Sequence, residues 1–238
     1  MSTPFASSDE ALFSPVPSRG TMPQTRSARL VQSVAFALSA LLSPYLVTPV
    51  GTVAIVASVP VSSREWLIWT LLSILFSTIV PALYVLVQVW RGKITDVHVM
   101  EREQRSGPFL VAIFSAAIGA ATLRQLGADV RVWGIGVVLA TNGIVLLWIS
   151  AYWKISLHVA VLSATILAAA IMIEGVSLWT LAWMVPALIW ARFMRGRHSL
   201  WQGVGGCAVA TLLTAAILRL LYAPYVADFW PHFFQRLE

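Results

Sequence analysis

Residues 131–152 read RVWGIGVVLATNGIVLLWISAY, 22 residues with a single charge at the first position. A hydrocarbon core of about 30 Å is crossed by about 20 helical residues, so this run predicts a membrane-spanning helix. Apolar runs of similar size recur at 30–59, 66–90, 108–126, 156–173, 177–193 and 203–222. The expected fold is therefore all-α, a polytopic membrane helix bundle of six to seven transmembrane helices. The first run is too long for a straight span and holds Pro44 and Pro49, so it is expected to be kinked or broken. A sheet would leave backbone groups unpaired in lipid, and the period-2 alternation of a membrane barrel is absent.

Composition agrees with this reading. The chain is 58% hydrophobic and 11% charged, with a mean hydropathy of +0.80, against about 45–50% and about 25% in soluble domains. A pI of about 10.1 and a net charge of +6 would suggest nucleic acid in a soluble protein, but there is too little polar surface for one. The single cysteine, Cys207, excludes a disulfide framework or a cysteine-based zinc site. Residues 1–29 hold six Ser and four Pro and no apolar run. They read as a disordered tail on the cytoplasmic side rather than a signal peptide. Residues 30–222 form the helical domain. Residues 223–238, with Phe229, Trp230, Phe233 and Phe234, read as an interfacial aromatic segment.

Seven spans put the loops at 91–107, 153–155 and 194–202 on one membrane face with the N-terminal tail. Eleven of the 16 Lys and Arg residues fall on that face and five on the other. The positive-inside rule places the basic face in the cytoplasm, as expected of an integral protein of the plasma (inner) membrane. Arg102, Arg105, Lys154 and Arg192 are also candidates for binding an anion, and without them the balance is seven to five.

His98, His158 and His198, three of the four histidines, lie on or beside the same face. Ionisable groups near the membrane are costly and mark functional sites. Residues 190–202 read WARFMRGRHSLWQ. On a helix starting near Ser199, His198 and Gln202 share a face at i, i+4. The alternative is an ordinary basic flank. Residues 152–158 read YWKISLH. Ser156 caps the next helix, whose free N–H groups make an anion site beside Lys154. The alternative is a snorkelling Lys154, a cap Ser and a His158 hydrogen-bonded within the bundle. Residues 93–108 read KITDVHVMEREQRSGP. Arg102 and Arg105, one helical turn apart, can clamp a phosphate, with Asp96, Glu101 and Glu103 as pairing partners. Here the alternative is an amphipathic surface segment with exposed charge pairs.

Together the three segments resemble the type 2 phosphatidic acid phosphatase superfamily, and within it a short membrane branch with looser motifs. The family pattern Ser-Arg-x5-His-x3-Asp is matched by Arg192 and His198, with Ala191 for the Ser and Gln202 for the Asp. Its Pro-Ser-Gly-His is matched by Ser156 and His158, with Ile155 and Leu157 for the Pro and Gly. Its Lys-x6-Arg-Pro has only Arg102 and Arg105 before Pro108 as nearest equivalents. The short branch reads as Ile-Ser/Thr-Asp before Arg-x-x-Arg, then Lys-Ile-Ser-x-His, then Gly-Arg-His-Ser/Thr-x-x-Gln. This chain carries each, at residues 94–96 with 102–105, 154–158 and 196–202.

The resemblance implies a membrane lipid phosphatase. His198 is then the nucleophile that forms a phosphohistidine, with Gln202 holding its second nitrogen, and His158 is the general acid and base. Arg192, Arg102, Arg105, Lys154 and Ser156 bind the phosphoryl oxygens, and Asp96 and His98 support them. The cations are side chains, so no metal or other cofactor is required. The substrate is a prenyl or glycerolipid phosphate or diphosphate taken from the bilayer, and nucleic acid is not a partner. Two other classes remain open. A Mg²⁺-dependent prenyl-transfer enzyme needs carboxylate-rich sites, whereas only Asp96, Glu101 and Glu103 cluster among ten acids. A non-catalytic lipid-phosphate binding or transport protein on the same fold fits the missing Asp, Pro and Gly.

Overall fold

Pro44 sets the first bend of the chain. The computed structural model describes residues 26–96, 99 and 101–222, at Arg102 the backbone only. Proline has no N–H to continue a helix, and its ring clashes with the carbonyl four residues back. Helix α1 (Arg26–Leu41) therefore ends, and α2 (Pro44–Ala57) starts afresh after the N-cap residue Ser43. The two form a pair bent by 46°, matching the broken first helix expected from sequence. Helix α1 begins at Arg26, so residues 26–29 are helical rather than part of a tail. The tail at 1–25 and the aromatic segment at 223–238 lie outside the described residues.

Helices α3 (Ser63–Ile74) and α4 (Val80–Trp90) are joined through a π-helical turn, Leu75–Ile79. In that turn the N–H of Val80 reaches back to the carbonyl of Leu75. The next donor in the same register would be residue 81, which is proline, so the carbonyl of Phe76 has no backbone partner. Ser115 Oγ of α5 (Ser106–Gln125) donates to it at 2.6 Å. This is how a proline is accommodated where no water can replace the lost bond. Gly119 permits the approach, because a Cβ there would lie 2.6 Å from Phe76 Cβ.

Helix α5 packs along α6 (Val130–Tyr152), and both lie near α7 (Leu157–Met172) and α10 (Leu200–Tyr222). Twelve of the 16 residues of α7 are buried. It is the central post, flanked by α2, α6, α9 and α10. Short helices α8 (Leu178–Ala182) and α9 (Met184–Met194) complete the bundle. Among the described residues no strand occurs.

Four helical segments are long and apolar enough to cross a membrane: Ser63–Trp90, Ser106–Gln125, Val130–Tyr152 and Leu200–Tyr222. The bent α1–α2 pair makes five if it is one span. Large apolar side chains such as Leu71, Phe114, Leu212 and Leu220 stand exposed on their outer faces, as lipid contact requires. The chain is thus an all-helical integral membrane protein with four to five spans by length and composition. The remaining apolar helices, Leu157–Met172 and Leu178–Met194, are shorter. At 1.5 Å per residue α7 is about 24 Å long, less than the hydrocarbon thickness of about 30 Å, and it is enclosed by protein.

Candidate active site

The site is assembled where α5, α7 and α10 begin and α9 ends. The N–H of Ser156, just ahead of α7, donates to the carbonyl of Gln202 on α10 at 3.1 Å. Gly206, one turn further along α10, sits so close to α7 that an added Cβ would lie 2.7 Å from the Ser156 carbonyl oxygen. On the other side, Arg105 at the head of α5 donates from Nη1 to the Ile155 carbonyl at 3.4 Å. The three polar segments singled out from sequence thus meet at one end of the bundle.

His198 is at their centre and only 3% exposed. Its Nδ1 lies 3.1 Å from Gln202 Oε1 and 3.3 Å from the Lys154 carbonyl. Both partners are acceptors, so the ring proton belongs on Nδ1, and Nε2 keeps its lone pair. The Gln202 amide is itself oriented, because Oε1 also accepts from the Ser199 N–H at 3.1 Å. Ser199 Oγ in turn accepts from the Gln202 N–H at 3.3 Å. This reciprocal pair is a capping box, Ser-x-x-Gln, at the start of α10. One local sequence pattern therefore starts the helix and holds the imidazole.

Electrostatics keep His198 neutral. Burial, then the charges of Arg192 and Arg105 and, less, Lys154, push its pKa down to about 3, against the opposing pull of the Gln202 hydrogen bond. Burial and the nearby Arg105, Arg197 and Arg192 also hold the Lys154 ammonium below its ordinary value. Arg105, buried as well, is shifted down by burial, with Glu103 opposing. Burial at this end of the bundle thus disfavours the charged forms of Arg105 and Lys154, and neighbouring cations add to the effect at Lys154.

Arg192, on the last turn of α9, is 3% exposed. Its Nη1 donates to Ser39 Oγ of α1 at 3.0 Å, while its Nε–H is buried with no hydrogen-bond partner. Arg195 donates to the same Ser39 oxygen at 3.2 Å and lies over the Phe36 ring, 4.9 Å from its centroid. Arg105 Nε donates to the Val99 carbonyl at 3.1 Å. Val99 has φ 45°, a left-handed conformation that a β-branched residue adopts only under constraint.

Arg105, Arg192, His158 and His198 line one end of a cavity of about 210 Å³. The rest of its wall is mostly apolar, with Phe109, Ile113, Leu146 and Ala160 from α5, α6 and α7. A positively charged mouth with a neutral imidazole, leading to an apolar interior, suits an amphiphile with an anionic head.

Several expectations change in detail. Ser156 occupies the N-cap position of α7, but its side chain makes no capping bond. Its hydroxyl is buried without a partner, and its own N–H donates to the Gln202 carbonyl. Ser156, Lys154 and Gln202 do not line the cavity; Lys154 contributes its carbonyl and its charge, and Gln202 acts through His198. Asp96 pairs with Arg197 at 3.6 Å, tying the first loop to the third. His98 and the side chain of Arg102 lie outside the described residues. Ser39 carries no local signal: its partner Arg192 is 153 positions away. Among the described residues no group of three or more His, Cys, Asp or Glu side chains could hold a metal ion. No family model, no curated protein and no solved structure matches this chain.

Proposed function

We propose that the protein is a membrane lipid phosphatase that works through a phosphohistidine on His198. The observation that carries this reading is the neutral, buried imidazole held by Nδ1, set among three cations at the mouth of an apolar cavity. His198 Nε2 attacks phosphorus while the phosphoryl oxygens take the N–H groups of Arg192 and Arg105, and Lys154 adds its charge. His158 protonates the departing lipid oxygen. It then takes a proton from water, whose oxygen displaces His198 and releases inorganic phosphate. The orphan Nε–H of Arg192 finds its acceptor in that chemistry, since a buried donor left unpaired is costly.

In this reading the substrate is a prenyl or glycerolipid phosphate or diphosphate drawn from the plasma membrane. The bent first pair and the two shorter apolar helices complete a seven-span bundle with the site on the cytoplasmic side. The member of the site that departs most from an efficient phosphatase is Gln202, because an amide cannot neutralise the imidazolium formed at His198. That favours, as a second reading, a lipid-phosphate binding or transport protein.

A panel of lipid phosphates with the detergent-purified protein in EDTA tests the choice. Phosphate release that vanadate inhibits and His198→Ala abolishes is the expected result. Tight binding with no turnover on any member selects the second reading. Turnover that depends absolutely on Mg²⁺ points instead to prenyl transfer.

A further inference from the structure

We propose that the substrate enters sideways from the bilayer, through a cleft between the first turns of α2 and helix α4 that admits a lipid with an anionic head. This deepens the phosphatase reading and rests on it for what becomes of the head group.

The cleft arises because two neighbouring segments change partners along their length. At the end away from the site, α2 and α3 are held together: Val56, Val59 and Trp69 share one buried cluster with Ala128, just past the far end of α5. Beyond the π-helical turn the pairing changes. Helix α4 packs on the turn and on α5, whereas α2 packs on α3, α6, α7 and the turn. Helix α1, which precedes the 46° bend, is engaged with α9 instead. Among the described residues, the site-end halves of α2 and α4 therefore stand as two separate lips.

Between the lips lies the cavity. Pro44, Tyr45 and Thr48 line it from the α2 side, and Thr78, Pro81 and Val85 from the α4 side. Arg105, Arg192 and His198 line the same cavity, so the cleft leads to the site without a partition. On the outer faces of both lips the side chains are large, apolar and exposed: Leu46 and Val50 on α2, Leu83 and Leu86 on α4. Such a surface faces lipid, so the cleft opens into the bilayer. Its lining suits the passage of a polar head. An anion moving along a wholly apolar wall loses its hydration with nothing in return, and polar side chains within a membrane domain mark substrate paths. Tyr45 and Thr48 place hydroxyls on one lip, and Ser77 and Thr78, their oxygens 3.3 Å apart, place two more on the other. A hydroxyl can donate to a phosphoryl oxygen while carrying no charge itself.

The test is photo-crosslinking of the full chain in phosphatidylcholine nanodiscs, with p-azidophenylalanine placed in turn at Tyr45, at Thr78 and, as a control on the outer face of α10, at Leu212. The probes are tritiated hexadecylphosphonate, which cannot be hydrolysed, and tritiated hexadecylphosphocholine, which has the same chain and a zwitterionic head. Crosslinking at Tyr45 and Thr78 should favour the phosphonate severalfold, and at Leu212 the two probes should label alike. In the same nanodiscs, Thr78→Trp and Thr48→Phe, which narrow the cleft from opposite lips, should each lower kcat/KM on hexadecyl phosphate roughly tenfold or more. The crosslinking keeps the test decisive if neither variant folds. Equal labelling by the two probes at both lips overturns the proposal, as does undiminished kcat/KM in both narrowed variants. Phosphonate-selective labelling of both lips with no turnover on any lipid phosphate keeps the doorway and removes the phosphatase reading.

Discussion

Gln202 Oε1 sits 3.1 Å from His198 Nδ1 and 3.1 Å from the backbone N–H of Ser199, so one amide oxygen both starts α10 and sets the tautomer of the buried imidazole. Replacing it separates the two tasks. Gln202→Leu removes both acceptor bonds and is expected to lower kcat about 10–100-fold, the range for partners that orient a reacting or ligating His. Gln202→Glu keeps the cap and supplies a charge for the imidazolium, so kcat should be at least that of the wild type. Steady-state kinetics on one lipid phosphate check both, and a Gln202→Glu variant slower than Gln202→Leu would refute the orienting role.

Ser39 is expected to act as a positioning residue for Arg192. Its single hydroxyl gathers the guanidinium groups of Arg192 and Arg195, and hydrogen bonds to charged groups contribute about 1.5–3 kcal/mol. Ser39→Ala should weaken vanadate inhibition and raise KM about tenfold or more with little change in melting temperature. Ser39→Thr, which keeps the hydroxyl, should restore both. Loss of thermal stability in step with activity, without rescue by Thr, would make Ser39 a packing residue only.

The parts of this architecture that the sequence makes legible are those with short-range physics. Apolar length marks the spans, Pro44 marks the break, and the i, i+4 spacing of His198 and Gln202 marks a shared helix face before the helix is seen. The convergence of the three loops is expected from a count of seven spans, whereas four to five segments are long and apolar enough to cross a membrane. Long-range contacts are not written locally. Nothing near Ser39 announces Arg192, and nothing near Asn142 announces that its Nδ2 is taken by Thr214 while its Oδ1 is left over. Nor does anything near Ser156 announce that its N–H donates to the backbone of α10, an encounter between residues 46 positions apart.

Proton linkage at His198 gives a signature that needs no substrate. Its pKa falls from 6.5 to about 3 on folding. Between those values the unfolded chain binds the proton and the folded one does not, so stability drops as pH falls from about 6.5 towards about 3 and levels off below. The loss is on the order of a few kcal/mol. His198→Gln should flatten that slope in pH-dependent unfolding measurements. An unchanged slope would place the imidazole in a solvated, ordinary environment.

Gly206→Ala tests the α7–α10 contact on which the geometry depends. The added Cβ meets a backbone oxygen, that of Ser156, at 2.7 Å, and backbone cannot rotate away as a side chain can. The helices must part, taking the Gln202 carbonyl off the Ser156 N–H and moving His198 relative to His158. Small-to-large changes of this kind cost about 1–3 kcal/mol, and kcat is expected to fall at least tenfold, since small misplacements are amplified in rate. Wild-type stability and kcat in Gly206→Ala would show that the two helix ends are not held as tightly as described.

The most direct measurement is a single turnover with a lipid phosphate labelled in its phosphoryl group, quenched in alkali and mapped to peptides. Label on His198 that is acid-labile, alkali-stable and absent, together with turnover, in His198→Ala is the expected result. Turnover that leaves His198 unlabelled, or that persists in His198→Ala, would contradict a phosphohistidine at this site.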